Sequence, residues 1–385
     1  MRIIGRLNIG GPAIHVALLT QKLPADVYET TLVTGSVDQG EGDMSYYAEA
    51  RQVQPIIVPA MHRAVRPLED LRALSAIRQL IRQHQPHVVH THTAKAGFIG
   101  RLAARLEGVP VVVHTFHGHV FKGYFSPAKS KAFVWLERLA ANWADTIITL
   151  TESLRRELAN EYHITRRGHI TVLPLGLDLT PFATTERKNG IFRSEWNIPP
   201  DVPLIGIVGR LTAIKNHRLF LQAAAQILAQ QPNAHFAIIG DGEDRALLQD
   251  YARQLGIDPH VTFTGWERDT AKVFADLDVK VISSENEGTP VTLIEALVSG
   301  CPVVSTDVGG VREMLEGGAF GRLVPFGDAQ ALATATLETL HNPPDPEPAR
   351  TAMLKRYSID RLVSDIDGLY QGLLTKKRAN PRTPQ

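Results

Sequence analysis

Ser284-Glu285-Asn286-Glu287-Gly288-Thr289-Pro290-Val291-Thr292-Leu293-Ile294-Glu295 begins where an apolar run, Val279 to Ile282, gives way to acid, glycine and proline. It ends inside a helical pattern that continues through Ala296-Leu297-Val298. The stretch therefore reads as strand, loop and helix start, with one carboxylate in the loop and one on the helix. Gly288 lets a ligand approach the backbone, and Pro290 suits a first helical turn, where its missing N–H costs little. The amides of Val291 and Thr292 then point out of the helix start, where an anion is welcome. Two carboxylates beside an anion hole fit a ligand that is phosphate at one point and polyhydroxylated around it, as a sugar nucleotide is. Taken alone, the same residues also describe an acidic loop followed by a surface glutamate.

A second feature upstream separates these readings. Gly206-Ile207-Val208-Gly209-Arg210-Leu211-Thr212-Ala213-Ile214-Lys215-Asn216 is another strand end, with Arg210 and Lys215 in a loop before a helix. Arginine supplies a planar fork and lysine a point charge, the pair a diphosphate wants. Gly-Arg-Leu…Lys followed by Glu-Gly-x-Pro…Glu resembles the C-terminal half of the retaining glycosyltransferases of family 4. The resemblance extends over most of the chain and implies an α/β protein of GT-B architecture. Such a protein has two Rossmann-like, doubly wound domains facing across a cleft, and a C-terminal helix that returns to the N-domain. Thr289 departs from the pattern, which commonly has an aromatic there, and leaves the donor sugar open.

Length and composition agree with that outline. A chain of 385 residues exceeds one ordinary core, so two domains are expected. The 44% hydrophobic and 21% charged content is that of a soluble globular protein. No apolar run reaches the ~18–20 residues of a membrane span, and the N-terminus lacks a signal peptide's apolar core. The single cysteine, Cys301, excludes an internal disulfide, fits a reducing cytoplasm, and at a strand start reads as packing. Residues 1–200 hold 23 Lys and Arg against 17 Asp and Glu, while residues 201–385 hold 18 against 23. The basic half suits either ordinary solvated helices or a membrane surface and lipid-linked phosphate acceptor. No basic block with interleaved aromatics points to nucleic acid. The expected address is the cytoplasm, with the inner face of the membrane open as an alternative.

Strands and helices alternate along the whole chain, which predicts parallel sheets with ligands beyond the carboxyl ends of the strands. The expected boundaries are an N-terminal, acceptor-binding domain over 1–182 and a linker over 183–190. A donor-binding domain over 191–357, a returning helix over 358–375 and a disordered tail over 376–385 follow. In the first domain three strand ends stand out: Asn8–Gly11, His90–Lys95 and His114–His119. Gly10 and Gly11 form a turn into a helix, which can admit a diphosphate or a sugar. The histidines suggest zinc at first sight, but no H-E-x-x-H or paired cysteines accompany them, and no metal site is expected. The segment from Phe121 to Ser130, with Lys122, Tyr124 and Phe125, reads as a mobile loop. The following helix carries Phe133, Leu136, Leu139, Ala140 and Trp143 on one face, as core or as a membrane-docking stripe. Asp276-Leu277-Asp278 has the form of a D-x-D metal site but lies before a strand, outside any matching architecture.

The family resemblance also implies roles. Glu295 would bind the ribose hydroxyls, and Arg210 and Lys215 the diphosphate. Glu287 would contact the donor sugar, and the backbone of Gly288, Thr289, Val291 and Thr292 would hold sugar and phosphate. Gly10 and Gly11 would approach the donor, and His117, or its rival His119, would face the sugar from the first domain. The catalytic set is then Glu287, His117, Arg210 and Lys215. No cofactor is implied beyond a nucleotide-diphosphate sugar as donor substrate, a UDP-sugar first among them. The expected reaction is metal-independent, retaining transfer of a hexose-type sugar to a hydroxyl on a sugar-containing or lipid-linked acceptor, in polysaccharide or glycolipid assembly. With no convincing protein nucleophile in the sequence, front-face attack is expected, the departing phosphate taking the acceptor's proton, with double displacement as the other route and a GT-B sugar-nucleotide epimerase as the alternative activity.

Overall fold

The computed structural model describes residues 1–8, 10–37, 42–62, 64–118, 121, 127–165 and 170–379. The chain divides into two compact units, Met1–Asp178 together with Tyr357–Gln385, and Leu179–Arg356. Each is an α/β unit built on one parallel sheet, the GT-B architecture.

The first sheet contains β1 (Arg2–Ile4), β2 (Leu32–Thr34), β3 (Ile56–Ile57), β4 (Val88–His92), β5 (Val111–Phe116), β6 (Thr146–Thr149) and β7 (Ile170–Val172). Their order is β3-β2-β1-β4-β5-β6-β7, and every pairing is parallel. The six residues of β5 are all buried, as a strand covered by helices on both faces requires. The second sheet contains β8 (Leu204–Val208), β9 (His235–Ile239), β10 (Val261–Gly265), β11 (Val279–Ile282), β12 (Val303–Thr306) and β13 (Arg322–Val324). It runs β10-β9-β8-β11-β12-β13. The direction of winding reverses between β1 and β4 in one sheet and between β8 and β11 in the other. These are the switch points where doubly wound sheets open a crevice for ligands.

The helix Ile359–Ala379 belongs to the first unit. Leu362, Ile366 and Tyr370 enter one cluster with Leu18, Leu19, Val111, Val113 and Ile148. Each such burial contributes roughly 1.5–3 kcal/mol. Gly176 permits the approach, since a Cβ there would sit 2.6 Å from the Leu362 Cβ. The helix runs four residues past its expected end at 375, and Lys377 Nζ reaches Asp145 at 2.6 Å. Residues 380–385 of the expected tail lie outside the described residues.

The expected linker over 183–190 is instead part of the second unit. Arg187 donates to the carbonyls of Phe274, Ala275 and Leu277, and Lys188 pairs with Asp278. A polar, aperiodic stretch looked like a tether because its partners lie about ninety positions away. Asp276 and Asp278 belong to the same fastening. Asp276 accepts from the amides of Gly190 and Arg193, at 2.8 and 3.1 Å, and Asp278 Oδ2 accepts from Arg193 and from Leu204 N. Both carboxylates are thus committed to holding the fold.

The helix Pro127–Ala141 also corrects an expectation. Leu139 and Trp135 are exposed, whereas Glu137 is buried and paired with the fully buried Arg101. The inward face thus joins this ion pair to apolar packing, with Ala140 fully buried and Phe133 against the Phe116 cluster, and of the expected stripe only Leu139 is exposed. Cys301 is buried and packs as expected. No helix among the described residues is long and apolar enough to cross a membrane.

Candidate functional site

In the second unit the loops at the switch point are fastened to each other. After β8 the chain passes Gly209-Arg210-Leu211 and a 3₁₀ turn, Ala213–Lys215. Asn216, with φ 47°, then accepts from Leu219 N and starts the helix His217–Leu228. The loop after β11 lies against it. Ser283 Oγ donates to the carbonyls of Lys215 and Asn216, both at 3.0 Å, and Glu285 N donates to Ile214 O at 2.9 Å.

This fastening places Lys215 Nζ 2.7 and 2.9 Å from the two carboxylate oxygens of Glu287. Ser284 Oγ donates to Glu287 Oε1 at 2.6 Å. Glu287 is buried and Lys215 partly exposed, so the pair presents its cationic end outward. Two residues seventy-two positions apart, chosen from sequence as a phosphate ligand and a sugar ligand, are in contact. Arg210 stands half-buried at the end of the same strand.

Glycine holds this arrangement from a third side. Gly310 N donates to Glu287 O at 2.9 Å, and a Cβ on Gly309 (φ +52°) would lie 1.9 Å from that oxygen. We predict that Gly309→Ala costs about 1–3 kcal/mol, because the backbone must move and the left-handed conformation is strained. A thermal melt showing no shift would contradict this.

The helix Val291–Val298 begins at Pro290 with no side-chain cap, so its first amides are not occupied by a capping side chain. Gly288 is exposed, while Thr289, Val291 and Thr292 are half-buried. Burial pushes the Glu295 carboxyl up to about 7, against the opposing influence of Lys280. Lys280 is fully buried on β11, its Nζ has no hydrogen-bond partner among the described residues, and burial lowers it to about 7. Glu287 and Glu295 both act on it in the opposite direction. Sequence reasoning passed over this lysine, although a cation inside Val279-Lys280-Val281-Ile282 is unusual for a strand buried on both faces.

The first unit carries a separate cluster at its own switch point. Gly10, with φ 154°, precedes the helix Gly11–Lys22, whose His15 is buried. His15 meets His92, at the end of β4, and His117, just after β5, with ring centroids 5.6 and 5.0 Å away. His92 Nδ1 and His117 Nε2 are 3.0 Å apart. Burial holds His15 and His92 well below the usual histidine range and His117 at about 4, so all three imidazoles are neutral at pH 7. Glycine and histidine expected from sequence to mark a site thus occupy the same sheet end, joined there by His15, which the sequence did not single out. His119, Lys122, Tyr124 and Phe125 lie outside the described residues.

Two family models match the chain. One, described as glycosyl transferases group 1, covers residues 189–356, and the other, a glycosyl transferase 4-like domain, covers residues 10–176. The chain is 27% identical over 362 residues to the UDP-Gal:alpha-D-GlcNAc-diphosphoundecaprenol alpha-1,3-galactosyltransferase of Escherichia coli, covering 92% of each protein. It is 30% identical over 319 residues to the 2-deoxystreptamine N-acetyl-D-glucosaminyltransferase of Streptomyces fradiae, covering 80% of this chain and 72% of that one. Among solved structures, the sucrose-phosphate synthase of Thermosynechococcus elongatus superposes with a TM-score of 0.80 at 20% identity, covering 97% of this chain and 99% of that one. Anabaena HepE, solved with UDP and glucose, gives 0.79 at 19% identity, covering 96% and 98%.

Proposed function

The chain belongs to the GT4-type glycosyltransferases of GT-B fold, and on that premise we propose that it transfers a hexose-type sugar from a nucleotide-diphosphate sugar to a hydroxyl acceptor, with retention of configuration and without a metal in the chemistry. The observation that carries this reading is the Lys215–Glu287–Ser284 constellation at the β8/β11 switch point. A cation held beside a fixed carboxylate at a ligand crevice supports reading Lys215 as a diphosphate ligand and Glu287 as a sugar ligand.

Arg210 and Lys215 neutralise the diphosphate as charge grows on it in an oxocarbenium-like transition state. Glu295 takes the ribose hydroxyls, two donors for an acceptor-only group. The backbone from Gly288 to Thr292 cradles sugar and phosphate, and His117, Gly10 and Gly11 serve the sugar and acceptor from the first unit. Both oxygens of Glu287 are engaged by donors, which makes it a poor nucleophile and favours front-face attack. The acceptor oxygen bonds to the anomeric carbon on the face from which the phosphate leaves. The C–O bond to phosphate breaks, and the departing diphosphate takes the acceptor's proton.

The name of the Escherichia coli relative supports a UDP-sugar and a lipid-linked acceptor, and with them work in glycolipid or polysaccharide assembly. A peripheral contact of the first unit with the inner face of a membrane is consistent with that acceptor. The epimerase alternative is not favoured, because the relatives described above are named as transferases.

Screening sugar nucleotides by thermal shift tests the reading. One selective donor should stabilise the protein, and Glu295→Ala should remove that shift. No shift from any UDP-, GDP- or ADP-sugar would overturn the assignment of Arg210, Lys215 and Glu295. The binding should also depend on pH. Glu295 is half protonated near pH 7 in the empty site, whereas the ribose requires the carboxylate. If the bound form has the lower pKa, affinity rises with pH up to about 7 and then levels, and binding releases a proton. At pH 6 the dissociation constant should be about tenfold weaker than the plateau. Lys280 deprotonates over the same range, so Lys280→Met should change the profile. Calorimetry showing a flat profile from pH 5.5 to 8 would remove Glu295 from this role.

A further inference from the structure

Four of the histidines buried at the first sheet have different fates. His90 uses both ring nitrogens within the fold, Nδ1 with Tyr370 Oη at 2.6 Å and Nε2 with Thr115 Oγ1 at 2.7 Å. His114 Nδ1 is paired with Thr91 Oγ1 at 2.8 Å. His15 has neither: it is only 2% exposed, and both its nitrogens lack a partner among the described residues. The Nε2 of His92, on a side chain with no exposed surface, lacks one too. A fold normally satisfies such atoms, and His15, with two of them beside two further imidazoles, calls for an ion or a ligand.

We propose that His15, His92 and His117 form a three-histidine site for one zinc ion. Each offers one nitrogen, and the three lie within 4.8 Å of one another. Tetrahedral zinc with ~2.0–2.1 Å bonds sets its nitrogen ligands about 3.3 Å apart. The 3.0 Å separation of His92 Nδ1 and His117 Nε2 is close to this, and His15 supplies the third nitrogen within 4.8 Å of the others. In the metal-bound form the hydrogen bond between these two rings is replaced by two bonds to the ion. Oxygen-preferring Mg2+ and Ca2+ are excluded by an all-nitrogen ligand set, whereas imidazole suits zinc. His90, stacked on His92 at 4.3 Å and itself fixed by Tyr370 and Thr115, holds the second ligand in place.

Charge sets the fourth ligand. The charged groups acting on His15 are Arg2 and Arg361, both cationic, so they oppose a bare dication. They favour an anion in the open coordination position, hydroxide at its simplest. His117 is partly exposed and marks the side from which the ion enters. The three ligands come from the helix Gly11–Lys22, from β4 and from the turn after β5. The sequence sets zinc aside because no H-E-x-x-H or paired cysteines accompany these histidines, and only the fold brings His15 to the other two.

The test uses the full chain stripped with a chelator, then given ZnCl2, or CoCl2 as a visible probe, and desalted before metal analysis. One equivalent of zinc should remain, and cobalt should give the intense visible absorption of a tetrahedral site. His15→Ala and His117→Ala should each weaken binding at least about tenfold, while the exposed His84→Ala should not. Circular dichroism confirms folding, and the partly exposed His117 supplies the second variant if His15→Ala fails to fold. Retention of less than a tenth of an equivalent, or undiminished binding in folded His15→Ala or His117→Ala, would overturn the site. On the function proposed above, zinc engages His117 and should inhibit transfer. Metal retention is read without a donor or acceptor, so failure of the zinc site and failure of that function are distinguishable.

Discussion

Lys215→Ala should lower the rate of sugar transfer by roughly 10²–10³-fold, the scale seen when one preorganised charge at a developing anion is removed. Lys215 has two partners to serve. In the empty site it holds the buried Glu287 carboxylate, with both oxygens within 2.9 Å. In the proposed reaction it turns part of that charge to the leaving diphosphate. Removing it leaves Glu287 with Ser284 as its side-chain donor among the described residues, and a buried carboxylate without its cation repels the incoming phosphate. The loss should therefore appear in both donor affinity and kcat. Glu287→Gln separates the contributions, since it keeps the shape and removes the repulsion. In the double variant, donor affinity should recover relative to Lys215→Ala alone, while kcat stays low. The constants of the four proteins form a double-mutant cycle. Near-normal kcat in Lys215→Ala would take this residue out of the transition state.

The sequence was most legible where local chemistry repeats. β11 has the bounds read from its apolar run, and the helix Val291–Val298 ends where its pattern ends, because strand, glycine turn and helix start all agree there. The Lys215–Glu287 contact was within reach only through the family pattern, since nothing local joins two loops so far apart. β13 has just three residues at a sheet edge, too few to show a period. The helix Ala329–His341 begins with a visible Asp328 cap, yet its alternating Ala and Thr blur the apolar face. The buried polar residues were least legible. Lys280, Glu137 and Arg101 each look like solvated charge in one dimension, and their meaning lies in what the fold sets beside them.

Arg101 provides the sharpest test of that last point. Its side chain is fully buried, Nε donates to Gly97 O at 2.8 Å, and Nη2 meets Glu137 Oε2 at 2.6 Å. Arg101→Met should destabilise the first unit by about 3–5 kcal/mol, because it strands the buried Glu137 carboxylate without its cation. The pair itself is a different matter. Desolvating both ions offsets most of their attraction, so Arg101→Met combined with Glu137→Leu should recover most of the loss. Urea midpoints at one pH for the wild type, both single variants and the double variant measure the coupling. A cost below about 1 kcal/mol for Arg101→Met would mean that water reaches Glu137. Failure of the double variant to recover would mean that the pair stabilises outright. The consequence reaches the sheet end: Arg101 lies on the helix Ala94–Leu106, which starts two residues after His92. That ion pair fastens this helix to Pro127–Ala141, so its loss should loosen the histidine cluster and reduce zinc retention along with stability.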